Sequence, residues 1–100
     1  MKLTPQEIAE RLRAHPGWSL EGAAIRKLYT FKSFPDAIAF VTRLAFDAQD
    51  ADHHPDLQIS YRKVTVTWST HDAGGLTAKD FDGAGQSDMI ASRMVPGDKG

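Results

Sequence analysis

Four histidines and no cysteine set the chemical vocabulary of this 100-residue chain. Without cysteine there are no disulfide scaffolds, thiolate metal sites or thiol nucleophiles. Three of the histidines border loops. His53 and His54 lie between a helical pattern and a strand pattern, and His71 follows a second strand pattern. If the two strands pair as a hairpin turning at Arg62-Lys63, their far ends meet. His53 and His54 then approach His71 across about 17 residues of chain. Neutral imidazole accepts a proton and imidazolium donates one near pH 7. Mutual repulsion disfavours charging all three, so one can remain a base while another serves as an acid. That division suits an elimination, in which a proton leaves one atom and hydroxide leaves its neighbour.

Simpler readings stand beside this one. His-His-Pro is commonly a solvated loop, and His71 could be a strand-end residue tied to a backbone carbonyl. Three histidines with Asp52 or Asp56 form a chemically possible zinc set. The spacing weakens it, because adjacent histidines in extended chain point to opposite sides and no His-x-x-x-His or His-x-His is present. Thr77-x-x-Asp80 has the form of a capping box, with Asp80 near a positive helix terminus. Trp18 and Trp68 suit a core, and His15, before Pro16, suits a loop. The basic pairs Arg11/Arg13, Arg26/Lys27 and Arg62/Lys63 are scattered like solvated faces.

The elements that must position these residues are legible. Leu3-Thr4-Pro5-Gln6-Glu7-Ile8 predicts a helix start with Thr4 as cap, Pro5 in the first turn, Glu7 closing a capping box and Leu3/Ile8 as a staple. His15-Pro16-Gly17 ends that helix. Aromatic and β-branched residues predict strands over about Trp18–Leu20 and Ile25–Phe31, with Glu21 to Ala24 turning between them. Ser33 caps a second helix whose Ala37, Phe40, Val41, Leu44, Ala45 and Ala48 share one face. It should fade near Gln49 to Asp52, before Pro55. Leu57 to Tyr61 and Val64 to Thr70 alternate with period two and predict the hairpin. Asp72 to Gly75 is a loop. A third helix restarts at Thr77, with Phe81, Ala84, Asp88 and Ala91 at interior spacing. Gly83 and Gly85 each weaken it by about 1 kcal/mol relative to alanine, so it needs packing to persist. The stretch from 95 to 100 is a polar tail expected to fray. The order α-β-β-α-β-β-α predicts an α+β fold, a four-stranded antiparallel sheet covered on one face by three helices.

Composition narrows the function classes. Hydrophobic residues are 41% and charged residues 25%, which fits one globular domain over residues 1–100 and not a disordered tail. Lys+Arg 12 against Asp+Glu 13 leaves a net charge of −1, so no bulk attraction to nucleic acid or an anionic membrane is expected. No apolar run approaches the ~20 residues of a membrane span. Met1 to Pro5 turns polar at once, unlike a secretory signal, and the cytoplasm is the default compartment.

In its motifs the chain resembles the pterin-4a-carbinolamine dehydratases. The likeness is carried by Asp52-His53-His54-Pro55, Tyr61 to Val66, Ser69-Thr70-His71-Asp72 and Gly75-Leu76-Thr77-Ala78-Lys79-Asp80, and extends over about residues 3 to 94. The resemblance implies dehydration of 4a-hydroxytetrahydrobiopterin to quinonoid dihydropterin, recycling the cofactor of aromatic amino acid hydroxylases. It implies no metal or organic cofactor. His53 and His71 would be the acid/base pair and His54 chiefly a substrate-binding residue. Asp80 matches the family's acid near the pocket, Asp52 would orient a histidine, and Trp18 would help wall the pterin site. Backbone groups near Ser69, Thr70 and His71 would bond the pyrimidine edge. The family associates as homodimers through sheet edges and homotetramers through helices, and some relatives bind a transcription factor. The alternative is an interaction module that kept the fold without the activity. Leu57, Arg62 and Gln49 depart from the family pattern. At Gln49 some relatives carry an acid, so an acid–base partner there is expected to be lost. Ala73-Gly74-Gly75 should loosen the loop before the third helix.

Overall fold

The computed structural model describes residues 1–94; the stretch from 95 to 100, expected as a tail, lies outside the described residues. Helix α1 (Pro5–Arg13) starts as the sequence predicts. Thr4 accepts from the Glu7 amide and Glu7 from the Thr4 amide. The Thr4 amide, then its hydroxyl, hold the exposed Glu7 carboxyl below its ordinary range. Strands β1 (Ser19–Glu21) and β2 (Ala24–Thr30) form a hairpin with Glu21 opposite Ala24, so only Gly22 and Ala23 turn. Gly22 supplies the positive φ of +61° that so short a turn requires. Helix α2 (Phe34–Ala51) is capped by Ser33, whose hydroxyl accepts from the Asp36 amide. Strands β3 (Asp56–Ser60) and β4 (Lys63–Trp68) make the second hairpin. Its turn is Tyr61-Arg62, one residue earlier than expected, because Tyr61 itself takes the positive φ. A short 3-10 turn, η1 (His71–Ala73), leads through Gly74 in the left-handed region to helix α3 (Ala78–Ser92). The segment expected to be a loose loop is thus folded through Ala73-Gly74.

The sheet is antiparallel throughout, in the order β1-β2-β4-β3. Register puts Ile25 opposite Trp68, Tyr29 opposite Val64 and Leu57 opposite Val66. Opposed residues share a face, and this one meets the helices. Ile25, Val64, Val66 and Trp68 are buried there against Phe40 and Leu44 of α2 and Phe81 of α3. The other face shows Arg26, Thr67, Thr65 and Gln58. Leu3, Ile8 and Leu12 pack α1 onto the edge of the core, and the Leu3 amide donates to the Leu76 carbonyl at 2.8 Å. The α+β class and one-sided helical cover therefore follow the sequence-based expectation.

Two details explain how a glycine-weakened α3 stays folded. A Cβ on Gly83 would fall 2.5–2.7 Å from the Trp68 indole, so the glycine is the condition for close approach of helix and sheet. Trp68 Nε1 then donates to Ser87 Oγ (3.2 Å), which donates to the Gly83 carbonyl (2.7 Å). Farther along α3, the Asp88 carboxylate accepts from Trp18 Nε1 (3.1 Å), Lys27 Nζ (2.8 Å) and Tyr29 Oη (2.5 Å), tying β2 and the start of β1 to the helix. Burial first, and the Asp88 carboxylate second, push the Tyr29 phenol far above its ordinary range.

The glycines should respond oppositely. Gly83→Ala is expected to lower stability by about 1–3 kcal/mol through overpacking. Gly85→Ala, whose Cβ would meet only His15 Nε2 at 3.9 Å, should raise it by up to about 1 kcal/mol. Urea midpoints decide both. The raised Tyr29 ionisation has a defined sign: its stabilisation is complete below about pH 10 and is lost as pH climbs beyond it. Midpoints measured between pH 9 and 11.5 should fall for wild type and flatten in Tyr29→Phe.

Candidate active site

The end of α2 decides where the histidines go. Asp52 takes the left-handed conformation (φ 54°, ψ 40°), its amide donates to the Gln49 carbonyl, and the His53 amide donates to the Ala48 carbonyl, each at 3.1 Å. This pair of bonds is a Schellman closure. It turns the chain back before Pro55 and throws consecutive side chains to opposite sides. His53 goes inward, with its side chain 14% exposed, and His54 goes outward.

His53 Nε2–H donates to Asp80 Oδ1 at 2.7 Å. Asp80 is fully buried, and its other oxygen accepts from Thr70 Oγ1 (2.7 Å) and the Thr77 amide (2.9 Å). The Thr70 proton is committed to Asp80, so the Thr77 hydroxyl donates to Thr70 Oγ1 at 3.0 Å and accepts the Lys79 amide at 3.3 Å. The expected capping box is present, and the same carboxylate also serves the histidine. The contact becomes an ion pair whenever the ring carries its second proton. The His53 ring is stacked on Trp68, centroids 5.3 Å apart and planes 26° apart. Nε2 is thus engaged and the ring plane is set, which leaves Nδ1 as the nitrogen that can exchange a proton.

His53, His54 and His71 line one open cleft of about 380 Å³ with Asp52, Ser69, Thr70, Asp72 and Lys79. Convergence follows from the hairpin: Asp56 stands opposite Thr67, so the segments before β3 and after β4 leave the sheet together. The volume of the cleft falls in the range of small-molecule sites. Asp80 acts from beneath it, through His53 and Thr70. Of the expected site residues, Asp80 and Trp18 do not line the cleft, and among the described residues Trp18 has no hydrogen bond to one that does. It is buried, donates to Asp88, and lines neither this cleft nor the cavities beside it. Standing just before β1 and bonded to α3, it is a core residue of this chain. Gln49, where an acid–base partner is expected to be lost, still gives His54 a neutral partner: its Oε1 lies 2.9 Å from His54 Nε2. Lys79 and Asp72 were not anticipated as cleft residues. Lys79 is the cleft's cation, one residue before Asp80 on the first turn of α3.

The smaller cavity next to it, about 200 Å³, lies between α2 and α3, and His53, Trp68 and Lys79 border it. Among the described residues no group of three or more His, Asp or Glu is placed to hold a metal ion. No helix among them is long and apolar enough to cross a membrane.

Comparison with known proteins places the chain in a family. The family model described as pterin 4 alpha carbinolamine dehydratase matches residues 1–90. The chain belongs to this family. A relative from Roseiflexus castenholzii is 57% identical over 88 residues, covering 88% of this chain and 95% of its own length. One from a Picosynechococcus strain is 52% identical over 89 residues, covering 89% and 97%. Both carry the name "Putative pterin-4-alpha-carbinolamine dehydratase". The crystal structure of a Brucella melitensis protein described as a transcriptional coactivator/pterin dehydratase superposes with a TM-score of 0.87 at 38% identity, covering 91% of this chain and 99% of that one. A pterin dehydratase-like protein described as a RuBisCO assembly factor shares the fold, with a TM-score of 0.66 at 21% identity over 77% and 92% of the two chains.

Asp80→Asn replaces one acceptor oxygen with a donor facing donors. It should lower stability by about 1–3 kcal/mol, and Thr70→Val by about 1 kcal/mol. Urea denaturation of the two variants checks the order; equal and negligible losses would contradict the geometry.

Proposed function

We propose that this chain is a 4a-hydroxytetrahydropterin dehydratase, a hydro-lyase that acts by histidine general acid/base catalysis. The observation that carries the reading is the shared cleft of His53, His54 and His71, in a chain of this family. In the reaction the N5–H bond of the pterin breaks and N5 gives its proton to one imidazole. The electron pair forms the C4a=N5 double bond. The C4a–O bond breaks as the hydroxyl oxygen takes a proton from a second imidazole and departs as water. The product is the quinonoid dihydropterin. His53 and His71 are the pair we assign to these transfers, with His53 working through Nδ1. Asp80 positions His53 and offers the imidazolium a buried counter-charge. His54, Asp52, Ser69 and Thr70 bind the substrate, and no metal or organic cofactor enters. The product chemistry links the protein to an aromatic amino acid hydroxylase, whose oxidised pterin it would recycle in the cytoplasm. Edge strands β1 and β3 and the exposed Ile38 and Phe46 of α2 are compatible with a homodimer or homotetramer.

A second reading is an interaction module that keeps the fold without turnover. The coactivator description of the Brucella protein favours it. The two readings separate in one assay, the decay of 4a-hydroxytetrahydropterin generated in situ, with chelator present. Wild type should accelerate it undiminished by chelation. His53→Ala and His71→Ala should each lose about 10²-fold or more, the scale of a general acid or base, and the double variant should fall to the uncatalysed rate. His54→Ala should act mainly on KM. No acceleration by wild type, or full activity in the double variant, refutes the dehydratase reading. A pure, inactive protein that holds a stoichiometric heterologous partner supports the module.

A further inference from the structure

Adjacent in sequence, His53 and His54 are given chemically different partners. His53 faces a buried carboxylate, whereas His54 Nε2 faces the neutral carboxamide oxygen of Gln49 at 2.9 Å. Gln49 is on the last turn of α2, and the left-handed Asp52 folds His54 back over that turn. A carboxamide oxygen can only accept, so the proton of the neutral His54 ring belongs on Nε2. Nδ1 is then left with its lone pair, on a ring that borders the cleft. The charged side chains around that cleft are Asp52, Asp72 and Lys79. None of them is hydrogen-bonded to the His54 ring, whose side-chain partner is Gln49.

We propose that Gln49 is a positioning residue that holds His54 as the neutral Nε2–H tautomer and thereby presents Nδ1 to an N–H group of the bound heterocycle. The heterocycle is the pterin of the proposed function, and the inference rests on that reading for its ligand only. Pterins carry N–H and NH₂ donors on the pyrimidine edge, and a neutral acceptor recognises such a donor without competing for the protons that the other two imidazoles exchange. Gln49 acts through His54 and does not itself touch the substrate.

Long-range ¹H–¹⁵N spectra of the imidazoles distinguish the two tautomers, and fluorescence quenching by 7,8-dihydropterin measures binding without turnover. Wild type should show His54 in the Nε2–H form. In Gln49→Ala and in the shorter Gln49→Asn the ring should sample both forms. Dihydropterin affinity should drop about fivefold, the worth of one hydrogen bond, with kcat within about twofold. Gln49→Glu, whose carboxylate accepts the same proton but also favours the doubly protonated ring, should restore the Nε2–H spectrum and the affinity only at pH values where that ring is neutral. An Nδ1–H ring in wild type, or Gln49→Ala with unchanged spectrum or unchanged affinity, overturns the proposal. A wild type that binds dihydropterin with the expected tautomer but turns nothing over sinks the catalytic reading and leaves this one standing.

Discussion

Asp80 has no contact with water, and a lone ionised carboxylate in that position would be costly by several kcal/mol. It is tolerated because three donors meet it: the Thr77 amide, the Thr70 hydroxyl and His53 Nε2. Each comes from a different part of the chain. Thr77 opens α3, Thr70 follows β4, and His53 follows α2. The carboxylate therefore fastens the three segments that border the cleft, and removing any one donor leaves charge uncompensated. Fold and site share this one group. A helix cap gives about 1 kcal/mol in ordinary surroundings. Here the capping acid also fixes which nitrogen of a histidine is engaged and which can work.

The opposed directions of His53 and His54 depend on a second constraint, the reversal at Asp52. A residue with φ of 54° is unfavourable for most side chains, though Asp tolerates it better than β-branched ones. Pro55 excludes continued helix, so the chain must leave α2 within a few residues. The Schellman closure does this while satisfying two carbonyls at the helix end. As a result one ring lies under cover on Trp68 and the next stays in solvent against the helix it has just left. Two imidazoles with the same intrinsic chemistry acquire different surroundings, one covered and facing a carboxylate, the other exposed and facing a carboxamide.

Local signals were readable from the sequence because they are local. Thr4 with Glu7, Ser33 before Phe34-Pro35, and Thr77 with Asp80 each mark a helix start through bonds spanning two or three residues. The β3–β4 hairpin was visible in its alternation, and with it the meeting of the histidine segments. What stayed hidden involves distance in sequence or an unusual backbone. The resemblance puts Asp80 near the pocket and its spacing marks it as a cap, but nothing in its surroundings announces a bond to a histidine 27 residues earlier. Asp88 was placed at interior spacing, but its three donors lie 59 to 70 residues away. That network is what draws Trp18 into the core and away from the cleft. Gln49 cannot supply an acid, as expected, and its neutral bond to His54 is hidden because the left-handed turn that returns His54 to it carries no glycine to signal it. The hairpin turn slipped by one residue for the same reason, since Tyr61 and not a glycine takes the positive φ.

One of the two glycines that weaken α3, Gly83, follows from the contacts that fix His53. His53 is fixed by a stack against Trp68, on β4, and by a hydrogen bond to Asp80, on α3. Both contacts can exist only if α3 lies close to the indole, and a side chain at Gly83 would prevent that approach. The glycine costs the helix about 1 kcal/mol in propensity. The Trp68–Ser87 bond, the burial of Phe81, and the Asp80 and Asp88 networks offset it by holding the helix along its length. The position of the His53 ring therefore reports the fit between sheet and helix. A change that widens that gap acts on the core and on the cleft together, although it touches no cleft residue. Gly85 lacks such a contact on the sheet side, and no constraint of the site explains its presence.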